Sequence, residues 1–413
     1  MSAQVSSQLT EAVVRQLSEE RDEPEWLLET RLSALAAIDD LPFPDVIQTP
    51  GRRWTNLEGL DFETLVDPKN QAEEKDQQGA GDVEVLSLVE ALEEHEALLR
   101  EHFGSVIDPE ENKLTALSTA LHTTGTVVYV PAGVDAEDVT IRTTMNSRSL
   151  FNYTLIVAEE SSSVTILERQ STGTSAEEAG LGPDDARYYS GIVEMVAGEN
   201  SYVRYGAMQD LSEETYNYTL KRADADTYAT ASWIEGNLGS RLTKTAVGTE
   251  LNGDGSETKI VGAFYGHGDQ HFDLDSRVWH NAEHTTADLV TRGVIDDHAR
   301  SVYEGTQMVG RDAWDTSSFQ RENTLMLSDE SEADASPKLI INNHDTEASH
   351  AATVGQIDRG DLLYMMTRGV GEQRAKDMLV QGFFVPVLEE IEVDEFREDL
   401  EARIRDRLAS RSR

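Results

Sequence analysis

Two kinds of hydrophobic spacing divide the chain. Up to about residue 120, apolar side chains recur at helical intervals. Trp26, Leu27, Leu32, Leu35 and Ala36 form one stripe behind Pro24, which suits a first helical turn. Val85, Leu88, Val89, Leu92, Leu99 and Phe103 form a second, and Gly104 follows as its stop. Between them, Asp67 to Asp82 (DPKNQAEEKDQQGAGD) holds almost nothing to bury, which predicts a loop or linker.

From about Gly125 to Ile357 the helical period gives way to short alternating runs rich in Val, Thr, Tyr and Ile: TVVYVPAGV, DVTIR, FNYTLIVAEE, SSVTILERQ, GIVEMVAGEN and SYVRYGAMQD. Similar polar turns split many of them: VAEESSSV at 157–164, VAGENSYV at 196–203, RADADTYAT at 222–230 and LNGDGSETKI at 251–260. The pattern predicts a mainly β region, either a pair of sandwiches or a β-solenoid. The recurring strand–turn–strand unit, without a propeller's period, favours the solenoid.

Helical spacing returns after Asp358. Leu362, Leu363, Met366 and Val370 mark one short helix with Gly369 near its end. Ala375, Met378, Leu379 and Phe383 mark a second, and Phe396, Leu400, Ile404 and Leu408 a third. The organisation read from these shifts is a helical region over 1–120 with an acidic linker near 67–82, a β core over 121–357 and a helical region over 358–413. On that division, a chain cut after Ile357 should keep its β core folded.

Charge alters the picture most. Among 413 residues, 78 Asp and Glu face 35 Lys and Arg, a formal −43, and only 8 of the basic residues are Lys. The acids are dispersed, as suits a surface solvated at molar salt, where screening shortens to about 3 Å. Such a surface repels phosphate backbones, so nucleic-acid binding is disfavoured. No apolar run reaches the ~20 residues of a membrane span, and Met1 to Glu20 lacks the features of a signal peptide. A cytosolic protein is expected.

There is no cysteine, which excludes disulfides, thiolate metal sites and a Cys nucleophile. Neither a GxSxG elbow nor a Walker A sequence occurs, and Gly253 and Gly255 (NGDGS) read as a turn, not a phosphate cradle. His267 and His271, like His280 and His284, are spaced i,i+4. In strands that spacing spans about 13 Å, too far for one metal, so polar face positions are the stronger reading.

Pro337 to Phe384 (PKLIINNHDTEASHAATVGQIDRGDLLYMMTRGVGEQRAKDMLVQGFF) carries the most information. In order, Pro337, Ser349, His350, Ala352, Thr353, Val354, Gly355, Tyr364, Arg368, Gly369, Ala375, Gly382 and Phe383 resemble the closing region of the SufB/SufD family of iron–sulfur cluster assembly. LTALSTALHTTGTVVYVPAGV at 114–134 is similar to the lead-in to that family's β domain, and RRWTNL at 52–57 is a weaker match. The SufB branch carries a glutamate after the aligned histidine and an essential cysteine. Here Ala351 follows His350, so the SufD branch fits better. A cysteine can precede that histidine by two positions in SufD proteins; this chain has Ala348 there.

The resemblance implies a right-handed parallel β-helix flanked by N- and C-terminal helices, acting as a non-catalytic scaffold. It implies SufB as the partner along the β-helix and the SufC ATPase as the partner of the C-terminal helices, around Ala375, Met378, Leu379 and Phe383. A transient iron–sulfur cluster would form at the shared interface, with no cofactor held stably by this chain alone. His350 is the best candidate to offer iron an imidazole, and His344 a lesser one. Two other readings stand beside it: a solenoid polysaccharide lyase or hydrolase, which predicts a secretion signal, and a purely structural solenoid in which His350 is packed.

Overall fold

The computed structural model describes residues 9–49, 52–173, 181 and 185–410. The N-terminal part runs through α1 (Glu11–Glu19), α2 (Glu25–Ala37), β1 (Gln48–Thr49), β2 (Arg52–Arg53), α3 (Phe62–Leu65), β3 (Glu73–Gln78), β4 (Glu84–Ser87), α4 (Leu88–Glu94), α5 (Glu96–His102) and α6 (Lys113–Leu121). The chain then alternates between two sheets: β5 (Thr124–Val130), β6 (Asp135–Met145), β7 (Ser149–Ala158), β8 (Ser163–Thr172), β9 (Arg187–Ala197), β10 (Tyr202–Asp210), β11 (Thr215–Ala225), β12 (Thr230–Asn237), β13 (Leu242–Leu251), β14 (Glu257–Gly266), β15 (His271–His280), β16 (Thr286–Ile295), β17 (Arg300–Val309), β18 (Thr316–Met326), β19 (Glu332–Ile341) and β20 (Thr346–Gln356). It ends in α7 (Arg359–Thr367), α8 (Glu372–Glu389) and α9 (Asp394–Ser410).

Odd-numbered strands from β5 to β19 stack in parallel register in one sheet and even-numbered strands from β6 to β20 in the other. This is a parallel β-helix, the solenoid among the two architectures the pattern left open. Its polar turns build one corner. Ser161, Asn200, Tyr228, Gly255, His284 and Asp315 all have φ between 54° and 71°. The first five donate their N–H groups to Glu199, Thr227, Asp254, Glu283 and Trp314 of the next coil at 2.8–2.9 Å. The left-handed conformation costs about 1 kcal/mol or more for a side-chain-bearing residue, and the coil-to-coil hydrogen bond offsets it.

The two ends of the solenoid differ. At one end β3 pairs antiparallel with β6 and β4 antiparallel with β5, closing both sheets. The segment 67–82 is therefore not a plain linker, because it carries β3. EEKDQQ shows no apolar alternation since it caps a sheet end: Lys75 Nζ donates to Asn152 at 2.9 Å and Thr124 at 3.2 Å instead of packing on a core. The second helical stripe also divides. Val85 lies on β4, Ser87 and Glu90 form a reciprocal capping box that starts α4, and the chain breaks at His95 before α5. Gly104 ends that helical run at φ 71°, and its N–H, with those of Val106 and Ile107, donates to the buried Glu194 carboxylate at 2.8 Å.

On α2 the buried face is Leu27, Arg31 and Ala34, while Ala36 is exposed. Arg31 is fully buried, donating to Glu23 at 2.6 and 2.8 Å and lying 3.0 Å from His122 Nε2. Burial and the Arg31 charge push His122 well below the ordinary imidazole range, so it stays neutral. A charge at the centre of a helix face is invisible to a search for apolar stripes.

At the C-terminus, α8 and α9 lie on the outer face of the even-numbered sheet. Val380, Phe384, Val387, Leu388, Phe396, Leu400, Ile404 and Leu408 share one core with Leu167, Met208, Ile234, Val261, Tyr265 and Val290. A Cβ at Gly206 would stand 3.1 Å from the Phe396 ring, so that glycine lets α9 approach the sheet. Asp210 pairs with both Arg403 and Arg407 of α9. These helices form a second core on the outer face of that sheet, separate from the one inside the solenoid, and a cut after Ile357 would expose this face. The stripe on α8 is rotated as well. Ala375 is buried, but the other inward positions are Val380, Phe384, Val387 and Leu388, leaving Leu379 and Phe383 half-buried and Met378 exposed. The α9 stripe is buried as its spacing predicts.

Candidate functional site at the open end of the solenoid

Among the described residues, the end opposite β3 and β4 is uncovered. β19 and β20 are the last strands of their sheets, with no outer neighbour among the described residues. Each presents a row of unpaired backbone donors and acceptors. Ile340, Ile341 and Val354, between 39% and 46% exposed, stand on this rung in the open.

Register decides which way β20 points. Ser318, Gln320, Glu322 and Thr324 of β18 face the lumen and are buried. Their partners on β20 are Ala348, His350, Ala352 and Val354. His350 thus stands on the lumen face of the terminal coil and is exposed because no further coil covers it. Ser349, Thr353 and Gly355 alternate to the outer face; the first two are exposed and Gly355 is half-buried. His344 is exposed in the turn between β19 and β20, beside Asn343, whose amide donates to Gly310 at 3.1 Å. It does not share the inward face of His350.

Beneath His350 the lumen is polar, which the strand pattern did not announce. His280 accepts and donates between Thr285 at 2.7 Å and Ser318 at 2.9 Å, and burial lowers its pKa to about 4, so it is neutral. Burial pushes the Glu322 carboxyl up to about 7, against the pull of the Thr324 hydroxyl and the Thr353 N–H. The side-chain amides of Gln307 and Gln320 are buried with neither atom paired. An inward-facing Gln or Glu at alternate positions of a strand near the chain's last coil was the available signal.

The spaced histidine pairs do not converge. Each straddles a corner: His280 faces the lumen, whereas His284 is exposed and 2.9 Å from Asp315. His267 lies 3.3 Å from Glu213 beside Arg407, and His271 is 3.0 Å from Thr55 of the RRWTNL segment. Among the described residues, a cluster of three ligand-type side chains forms at Glu84, Glu94 and His95, near the capped end. His350 has no such company among the described residues.

Next to the open rung, α7 buries none of its residues. Leu363, Tyr364 and Met366 are 61%, 60% and 41% exposed, and the Arg368 guanidinium lies 5.1 Å from the Tyr364 ring. Gly369 ends the helix at φ 88°. A cavity of about 450 Å³ separates α7 from the solenoid, lined by Leu327, Ile357, Leu362, Met366, Glu372 and Lys376 among others.

Residues 141–383 match the family described as SUF system FeS cluster assembly, SufBD core domain, and residues 61–141 match the SufBD protein N-terminal region. The chain belongs to the SufB/SufD family. It is 30% identical to the iron–sulfur cluster assembly protein SufD of Bacillus subtilis, over 94% of this chain and 95% of that one. It is 26% identical to SufB of the same organism, over 94% and 90%. An iron–sulfur cluster assembly SufBD family protein of Staphylococcus haemolyticus is 27% identical over the same shares. The core match runs from within β6 through β20 and ends in α8. Among the described residues, no helix is long and apolar enough to cross a membrane.

Proposed function

We propose that this chain is the SufD-like subunit of a SUF scaffold, pairing with SufB across its open end so that a nascent iron–sulfur cluster is built at the junction. The observation that carries the reading is the position of His350, exposed and inward-facing on a terminal rung that no described residue covers. An uncapped solenoid end is a template for a second solenoid, with free backbone groups for pairing and Ile340, Ile341 and Val354 to bury. The cluster is cargo, not a resident cofactor. Iron and sulfide need thiolates, which a chain without cysteine cannot give, so SufB supplies them and His350 adds an imidazole. Its exposure speaks against a packing role in this chain.

The C-terminal region serves as the dock for the SufC ATPase. The apolar, unburied α7 and the exposed Met378 of α8 offer the contact, with Leu379 and Phe383 at its margin; buried Ala375 supports the helix from within. ATP hydrolysis belongs to SufC, and α7, beside the open rung, sets its dock next to the junction.

Replacement of His350 by Ala is expected to leave the melting midpoint and the recovery of SufB and SufC unchanged while cutting the rate of cluster formation on the assembled complex. His344→Ala should do much less. Normal cluster formation by His350→Ala would remove the ligand role; loss of partners would make the residue structural.

A cytosol of high salt is the setting that the −43 charge fits. Lowering salt from ~1 M to ~0.1 M lengthens the screening distance from about 3 to about 10 Å. The cooperative thermal transition is therefore expected to fall in temperature and broaden. A midpoint that does not move over this range would show that the acidic surface is not a salt adaptation.

A further inference from the structure

Gln320 on β18 is 1% exposed, and neither atom of its side-chain amide has a hydrogen-bond partner. Each buried polar group left unpaired costs about 1–3 kcal/mol, so such a residue needs a reason. Its surroundings explain the vacancy. The coil on the closed side offers Leu289 in register, which has nothing polar. Across the lumen lies Gly305, where a Cβ would stand 1.7 Å from the amide nitrogen, so the missing side chain makes room for the amide without bonding it. The coil on the open side offers His350 in register. Of the two residues paired with Gln320, only His350 carries a polar side chain.

We propose that Gln320 is a positioning residue for His350. Its amide oxygen accepts the N–H of one ring nitrogen, which leaves the other nitrogen unprotonated and facing the junction. This rests on the reading of His350 given above. An imidazole that binds metal characteristically donates its second N–H to an oxygen, which sets the tautomer and the ring orientation. In the uncovered chain the exposed imidazole is free to turn outward. A partner seated on β19 and β20 excludes that position and presses the ring onto the waiting amide.

Gln307 provides the internal control. It is also buried with both amide atoms unpaired, but its register partner on the terminal rung is Leu339. Gln320→Met and Gln307→Met should both raise the melting midpoint, because each removes an unpaired buried amide at similar volume. Only Gln320→Met should raise the Fe²⁺ concentration that half-saturates cluster formation on the reconstituted complex, by about 10–100-fold. Gln320→Glu keeps an acceptor oxygen at the same reach. It should lower the melting midpoint, since it buries a carboxyl, yet hold the iron requirement near that of the wild type. Activity and stability thus move in opposite directions, which a merely structural glutamine would not produce.

An unchanged iron requirement in Gln320→Met overturns the proposal, as does a fall in its melting midpoint, which would mean the amide is already satisfied. His350→Ala in the same titration separates the two failures. If it is impaired while Gln320→Met is not, only the positioning role falls. If neither is impaired, the reading of His350 falls with it.

Discussion

Cut after Ile357, the chain is expected to be recovered as aggregate, not as a folded β-helix. Val380, Phe384, Val387, Leu388, Ile391, Phe396, Leu400, Ile404 and Leu408 are all buried in the core that α8 and α9 share with the even-numbered sheet. Burial of each such side chain contributes roughly 1.5–3 kcal/mol before the entropy of ordering the helices is set against it. The cut also uncovers Leu167, Met208, Ile234, Val261, Tyr265 and Val290 as one apolar strip along the sheet, a surface that invites association. Soluble yield and the melting curve of the 1–357 fragment check this; a monodisperse fragment with a cooperative transition would overturn it. Loss of SufC from such a fragment would therefore say nothing about docking. The informative substitutions lie on α7, where no packing is at stake. Leu363→Asp and Tyr364→Asp should leave the melting midpoint in place and abolish co-purification with SufC.

The contrast between α8 and α9 shows how much of this was legible in sequence. Phe396, Leu400, Ile404 and Leu408 keep a strict four-residue interval among charged neighbours, so one stripe was possible and it is the buried one. In α8 apolar residues surround the helix, and Ala375, Met378, Leu379 and Phe383 competed with Val380, Phe384, Val387 and Leu388 for the inward face. Only contact with the sheet chooses between them. The β region was readable because the Gly-, Asn-, Asp- and Ser-bearing turns recur, and each becomes a left-handed corner. What no alternation discloses is a strand made of EEKDQQ, whose task is to pair backbone at a sheet end. His350 could be singled out by motif, yet its inward direction follows from the parity of β18, which is set by a coil 30 residues earlier. Gln320, Glu322 and His280 beneath it are inward-facing polar residues, and inward polarity contradicts the rule by which strand faces are recognised.

That same rule fails most sharply at Lys221, whose removal is expected to be the costliest single substitution in the lumen. Lys221 on β11 is 2% exposed and donates to both oxygens of Glu235 on β12 at 2.8 Å. Its ammonium also lies 5.4 Å from the Tyr205 ring, and the Tyr205 hydroxyl donates to Glu168. Breaking a buried pair from one side costs about 3–5 kcal/mol, because the remaining charge has neither water nor a partner. Lys221→Ala should lose that much in a denaturant titration at pH 8. Lys221→Met combined with Glu235→Leu should recover most of it, since an apolar pair of similar volume carries no desolvation penalty. The pH dependence gives a second check. Burial already pushes the Glu235 carboxyl above the ordinary range, and Lys221 is the chief influence pulling it down. Without Lys221 its folded pKa rises further above the ~4.3 of an unfolded glutamate. A carboxyl raised in the folded state contributes stability that is full below the unfolded pKa and is lost as pH rises through the folded one. Lys221→Ala should therefore be less destabilised at pH 5 than at pH 8, and the double variant should show no such difference. Equal losses at both pH values would mean that water reaches Glu235 and that the lumen at this coil is not dry. The pairing also explains why a stack of similar coils tolerates so expensive a feature. β11 and β12 belong to opposite sheets, and a slip of one strand by one residue would turn Lys221 outward and leave Glu235 alone.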